Sequence, residues 1–394
     1  MKVKTLSVLL ASLASLNAGL AHAELPAIEA GGATFNVYGN VDEYLNFMRS
    51  SSGKSLNALE EGGYLRTRVG VRGEKPVDTD LSIKFQLEQG LNITNGSQAD
   101  STRLFDRQAW VGLKSVYGEF RAGRQNTAVF YRGSYIDFTA RTMGSVINAF
   151  GVASRYDSDL AWISNRMDGL LLEAHYSFAG AKENETDNQG VYQLAADYEN
   201  GPFRIGYAGV GGKSPYASTV DKTVFYNNLY ANYDYGRGKV YLAYVRTNNN
   251  ASTCTNSNSD GSCKAGYTLN NGGAPLGNTG SLVTGTSTGA NTYYNIWQVS
   301  ADYKLTPKLR LGALYGRIED SSGTGKSANG WAVGAYYDIF KDTMIYALAD
   351  VLSNNPNAGF RPSGSAGLPK NYTAASDVNG ETIRGVQLGF VYKF

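Results

Sequence analysis

The chain has 394 residues, a formal net charge of +2, 42% hydrophobic residues and a mean hydropathy of −0.30. Near-neutrality argues against a nucleic-acid binder, which works through a basic excess. Beyond the N-terminal leader no stretch reaches the ~18 consecutive apolar residues of a membrane helix. Tyr (28) and Gly (47) are abundant and Pro (9) is scarce, which suits strands that set only every second residue against lipid.

In chain order the first element is the leader. Lys2 and Lys4 precede an apolar run from Leu6 to Leu20, followed by Ala21-His22-Ala23 and then Glu24. A basic head, an apolar core too short to span, and small residues at −3 and −1 describe a secretory signal peptide rather than a retained anchor. Cleavage is expected between Ala23 and Glu24, leaving 24–394 as one exported domain. Both lysines leave with the leader, so the mature chain carries no net charge.

From Thr34 onward the apolar pattern has period two, the signature of strands with unlike faces. Leu65, Thr67, Val69 and Val71 alternate with Tyr64, Arg66, Arg68, Gly70 and Arg72. Leu81, Ile83, Phe85 and Leu87 alternate with Ser82, Lys84, Gln86 and Glu88. Trp297, Val299, Ala301 and Tyr303 alternate with Gln298, Ser300 and Asp302, and Val386, Leu388, Phe390, Tyr392 and Phe394 close the chain in the same way. The connections are short and long by turns. The short ones are Val77–Asp80, Val116–Gly118, Met167–Gly169, Asn200–Pro202, Gly236–Gly238, Thr306–Lys308 and Phe340–Asp342. The long ones, rich in Ser, Asn, Gly and Thr, are 50–62, 93–103, 129–153, 180–188, 213–221, 250–290, 321–326 and 354–381. Seven turns and eight loops join about sixteen strands, an even number typical of bacterial barrels. A soluble sandwich would alternate too, but its outward face would be polar, whereas Tyr, Leu, Val and Trp on that face call for lipid. The fold expected is all-β: an antiparallel transmembrane barrel with short periplasmic turns and long external loops. An unpaired backbone group in hydrocarbon costs several kcal/mol, so the last strand must pair with the first.

Two readings concern chemistry. Cys254 and Cys263 lie in one polar segment, and in an oxidising compartment a close pair is most simply a disulfide closing a small loop. With no soft or imidazole ligands nearby, the pair does not make a metal site, and nothing in the chain calls for a cofactor. His175, the only histidine outside the leader, alternates with Glu173 and Ser177 on one strand. A barrel phospholipase or protease would need a histidine base with a Ser or Asp partner. All of these lie along a single strand with no recognisable triad, so His175 reads as a polar lumen residue.

Several segments together resemble the trimeric general-diffusion porins of β-proteobacteria. These are Val37-Tyr38-Gly39-Asn40-Val41-Asp42, Arg68-Val69-Gly70-Val71-Arg72-Gly73-Glu74, Phe85-Gln86-Leu87-Glu88-Gln89-Gly90, Arg107-Gln108-Ala109-Trp110-Val111-Gly112-Leu113, Gly123-Arg124-Gln125 and Arg155-Tyr156-Asp157-Ser158. The resemblance is dense over 34–178 and sparse afterwards. It implies a sixteen-stranded outer-membrane barrel, three to a trimer, passing small hydrophilic solutes and ions and surrounded by lipid and lipopolysaccharide. It also implies that the third long loop, 129–153, folds inward to narrow the pore. Phe390, Tyr392 and Phe394 look like the family's signal to the barrel-assembly machinery.

In the family that loop carries acids facing wall arginines. Here Asp137 is its only acid, between Arg132 and Arg141. Arg66, Arg68 and Arg72 share a strand face and are expected in the lumen, because a charge at mid-depth on the lipid face costs ~2–4 kcal/mol. Lys84 joins them from the next strand, while Glu88 and Asp42 oppose. By resemblance Arg107, Arg124 and Arg155 belong to the same wall, although strict alternation puts Arg107 with Ala109, Val111 and Leu113, on the lipid side. A weak to moderate anion preference follows, or a channel specific for one anion.

Overall fold

A computed structural model describes residues 26–394 except 101–102, 152–153, 179–189, 214–222, 249–252, 255–268, 271–292, 324 and 367–374. Sixteen antiparallel strands close on themselves. They are β1 Ala33–Ser50, β2 Ser55–Glu61 continued by Arg68–Asp78, β3 Leu81–Asn92, β4 Gln108–Ser115, β5 Gly118–Asn126, β6 Arg155–Ile163, β7 Leu170–Ser177 and β8 Val191–Asn200. They continue with β9 Phe203–Lys213, β10 Thr223–Asp234, β11 Lys239–Thr247, β12 Tyr294–Lys304, β13 Leu309–Asp320, β14 Ala328–Phe340, β15 Thr343–Asn354 and β16 Thr382–Lys393. The last strand pairs with the first from Asn40↔Lys393 to Ser50↔Ile383, so no edge is left open. At the seam the Gly39 amide donates to the Phe394 carbonyl (2.8 Å) and the Phe394 amide to the Gly39 carbonyl (3.1 Å). A Cβ on residue 39 would sit 2.5 Å from the Phe394 ring, so glycine is what lets the terminus close.

The period-two reading becomes two faces. On β12 Trp297, Val299 and Tyr303 are exposed while Gln298, Ser300 and Asp302 are buried. On β16 Val386, Leu388, Phe390 and Tyr392 are exposed and Gln387 is fully buried. Apolar outside and polar inside is the inverse of a soluble protein, and lipid is the solvent that makes it stable. The seven short connections fall between the expected strand pairs. Loops 180–188, all but the first residue of 213–221 and most of 250–290 lie outside the described residues, as do the leader with Ala23 and Glu24, Cys263, and the side chain of Cys254.

The structure departs from the sequence reading at β2. The loop expected at 50–62 is largely a β-hairpin, with Ser55–Glu61 pairing back on β1 from Glu43↔Glu61 to Arg49↔Ser55. The strand expected through Tyr64–Thr67 instead leaves the sheet, and pairing with β1 resumes at Asn40↔Arg68. The cause is Asp42. Its fully buried carboxylate accepts the amides of Tyr64 (2.8 Å) and Leu65 (2.5 Å) and the Tyr346 hydroxyl (2.9 Å), replacing ladder partners with a side chain. Leu65, expected against lipid with Val69 and Val71, is therefore buried inside.

Candidate functional site: an arginine wall facing an inward loop

Residues 127–151 fold into the barrel as expected for the third long loop. Thr127 caps α1 (Ala128–Tyr131) by accepting the Phe130 amide, a 3₁₀ turn covers Arg132–Tyr135, and Ser145 caps α2 (Val146–Phe150). The wall holds the loop by its backbone. Gln298 accepts the amides of Val146 (2.8 Å) and Ile147 (3.2 Å), Ser300 accepts that of Phe138 (3.0 Å), and Arg310 donates to the Phe138 carbonyl (2.9 Å). Small residues on the inner faces of β13 and β14 make room. A Cβ on Gly312 would meet the Phe138 ring at 2.1 Å, and Cβ atoms on Gly316 and Gly330 would crowd Val146.

The last long loop also turns inward. Phe360 packs on Phe150, with ring centroids 5.9 Å apart, and Asn148 donates to the Ser363 carbonyl at 2.6 Å. Farther on, the Ala366 amide donates to Gly62 (2.9 Å), and Ser365 accepts the Arg66 amide (3.0 Å). These two loops bury much of the inner face from β8 to β15. Partly exposed inward side chains remain on β2 to β5, among them Arg68, Arg72, Lys84, Gln86 and Arg121. The inner surface left partly exposed therefore runs along β2 to β5, where these arginines stand.

The candidate residues fall into separate groups. Arg68 and Arg107 share Glu88, at 3.6 and 2.6 Å, and Glu88 also accepts the Tyr38 hydroxyl at 2.9 Å. Arg155 lies close enough to add its field to that carboxylate. Arg107 turns inward because β4 begins only at Gln108, so strand alternation does not bind it. Arg124 sits at a bulge where the β5–β6 register shifts, donating to the Asp106 carbonyl and pairing with Asp157 (2.5 Å), which also holds Arg103 (2.9 Å). Arg72 points inward over the Tyr38 ring, 5.7 Å from its centroid.

The remaining candidates do not join this group. Arg66 lies on the detour rather than a strand, paired with Glu61 (3.0 Å) and donating to the Ala366 carbonyl (2.7 Å). Lys84 is inward but neutralised by Glu119 at 2.7 Å, which also takes Arg121 at 2.6 Å. Arg132 is buried against the wall in an ion pair with Glu173.

Asp137 requires a correction: it is not displayed to the passage. It is 1% exposed and accepts the amides of Thr139 and Arg141 (both 2.9 Å), the hydroxyls of Thr139 (2.7 Å) and Ser145 (2.8 Å), and the Gln298 side chain (2.6 Å). It folds the loop. Asp42, expected to oppose the arginines, is likewise consumed by the β2 detour.

His175 is buried with Asp159 on Nδ1 (2.7 Å) and Glu173 on Nε2 (2.8 Å), while the Ser177 hydroxyl donates to the Asp157 carbonyl. Neither ring nitrogen is left for a hydroxyl nucleophile, so the arrangement is an anchor for Arg132 and α1 rather than a catalytic base. Sequence reasoning passed over Tyr38 and Phe130, aromatic partners of the arginines.

The sequence profile of the Gram-negative porins matches residues 6–357. An outer membrane porin protein of Bordetella pertussis is 28% identical over 337 residues, covering 76% of this chain and 79% of that protein. Among solved structures, an anion-selective porin from Comamonas acidovorans superposes with a TM-score of 0.70 at 18% identity, covering 92% of this chain and all of the other. The trimer form of OmpT, an outer membrane protein of Vibrio cholerae, does so with a TM-score of 0.58 at 16% identity, covering 92% and 100%. Profile, relative and closed barrel agree: this chain belongs to the Gram-negative porin family and forms a diffusion channel through the outer membrane.

Proposed function

We propose that the channel passes small hydrophilic solutes with a preference for anions. One observation carries this reading. Arg68 and Arg107 pair with Glu88, Arg155 lies within the field of Glu88 and Asp106, and the inward loop adds Arg141 while its only acid is turned into the loop. A narrow, low-dielectric passage discriminates by the charge at its tightest point. Within the ~8 Å Debye length at physiological salt such an excess acts with little screening. The reversal potential across a bilayer under a salt gradient tests this. The wild-type pore is expected to favour the anion. Arg68→Ser, which leaves Glu88 less compensated, is expected to shift the potential toward cations, and the shift should shrink at molar salt. A cation-selective wild type, or a potential indifferent to Arg68, would remove the arginine wall from its assigned role.

We further propose a homotrimer, exported with cleavage after Ala23, read by the assembly machinery through Phe390, Tyr392 and Phe394, and carrying a Cys254–Cys263 bridge. A cavity of about 450 Å³ on the outer face of β1 and β14–β16, lined by Leu45, Ala335, Ile345, Ala347, Leu388 and Phe390, supports association there, against lipopolysaccharide and lipid elsewhere. Mass measurement in mild detergent checks copy number, leader and bridge together: three copies, each beginning at Glu24 and lacking two thiol hydrogens. Monomers or free thiols would contradict the respective part.

A further inference from the structure

We propose that Phe130 is a specificity-determining positioning residue of this pore, and the proposal rests on the anion reading above. The Phe130 ring is shared by two guanidiniums, with Arg141 Cζ 4.7 Å and Arg155 Cζ 5.0 Å from its centroid. These come from different parts of the fold. Arg155 opens β6, its backbone opposite Asn126 of β5. Arg141 reaches back across the loop, donating to the Phe130 carbonyl at 3.3 Å.

The local structure is built to hold this arrangement. Phe130 is seated by α1, whose first amide, that of Ala128, donates to Gln193 on the wall at 3.0 Å, and the following turn is pinned by the Arg132–Glu173 pair. Arg141 has φ +56°, a left-handed conformation that side chains adopt only when something enforces it. Asp137 enforces it by accepting the Arg141 amide, not its guanidinium. A Cβ on Gly133 would lie 2.9 Å from Arg141 Nε, so that glycine clears space for the folded-back side chain.

The electrostatic consequence is specific. Among the described residues no carboxylate lies within ion-pair distance of either guanidinium. Nε of Arg141, and Nε and Nη2 of Arg155, are buried without a hydrogen-bond partner. Several other arginines in the lumen are held by acids: Arg132 by Glu173, Arg121 by Glu119, Arg124 by Asp157. A carboxylate fixes a guanidinium and cancels its charge, whereas an aromatic face fixes it and leaves the charge intact. Phe130 thus holds two guanidiniums in order, neither in a direct ion pair, where the loop meets the wall.

Permeability ratios of Phe130→Leu and Phe130→Tyr, beside wild type and Arg68→Ser, test this. Leucine keeps the apolar bulk and loses the π face, and tyrosine keeps both. Phe130→Leu is expected to lower the anion-to-cation ratio about two- to fivefold, with unit conductance and the yield of assembled barrel unchanged, while Phe130→Tyr retains the wild-type ratio. Equal ratios for leucine, tyrosine and wild type overturn the proposal, as does a loss shared by both variants, which would mark a packing role only. If the wild type itself prefers cations, the anion reading fails. If the wild type prefers anions and responds at Arg68 but not at Phe130, only this inference does.

Discussion

Asp137→Ala is expected to release the inward loop, raising unit conductance and lowering the temperature at which the assembled barrel loses its native mobility. Asp137 satisfies five donors from two parts of the fold: two loop amides and two loop hydroxyls, and the Gln298 side chain on β12. Truncation strands these groups in a place with almost no solvent. Breaking a buried charged hub of this kind costs about 3–5 kcal/mol, felt first by the loop and, through Gln298 on β12, by the barrel wall it braces. Arg141 loses the acceptor that holds its left-handed backbone, and α2 loses the Gln298 contact that Asp137 orients. Asp137→Asn keeps the shape but halves the capacity to accept, so its effect should be intermediate. An alanine variant with wild-type conductance and heat stability would show that the loop is held by Phe138, Val146 and the aromatic cluster alone.

Deleting Phe394 is expected to abolish most assembled barrel while leaving conductance normal in the few pores that insert. Two effects act together. The terminal residue supplies both backbone bonds to Gly39 at the periplasmic end of the seam, and unpaired groups there cost several kcal/mol in hydrocarbon. Its ring fills the space over Gly39 and packs near Tyr392, with centroids 6.1 Å apart, completing the outward aromatic row with Phe390. Heat-modifiable mobility of the membrane fraction reads the assembled yield, and single channels read the pores. Undiminished yield would remove Phe394 from both roles.

The architecture was legible in the sequence because the barrel obeys one rule along its length. A strand between lipid and water shows period two, and each turn or loop interrupts it. That reading failed where a side chain took over a backbone task. Tyr64–Thr67 keeps the alternation of a strand, yet the chain leaves the sheet because Asp42 offers its amides an acceptor, and no periodicity reports that. Arg107 was ambiguous for a related reason, since parity applies only inside a strand and β4 starts one residue later. Composition identified Asp137 as the loop's sole acid but not its direction, because a carboxylate ringed by Thr139, Ser145 and its own loop amides reads like one exposed to solution. The inner-face glycines Gly312, Gly316, Gly330 and Gly334, clustered on adjacent strands, were a usable sign of where the loop would rest.

The interruption of β2 has a consequence for the order in which this molecule becomes watertight. The detour at 62–67 is finished by groups from both ends of the chain: Asp42 from the first strand, Tyr346 from β15, and Ser365 and Ala366 some 300 residues downstream. Contacts of such separation form late, since each must wait for the chain between to be ordered. The cylinder therefore has two closures to complete, the seam between first and last strands and this patch beside it, and both depend on the C-terminal region. Until that region is in place, the N-terminal half holds a sheet with a slot in its side, so the wall is sealed only when the last strand and loop have docked.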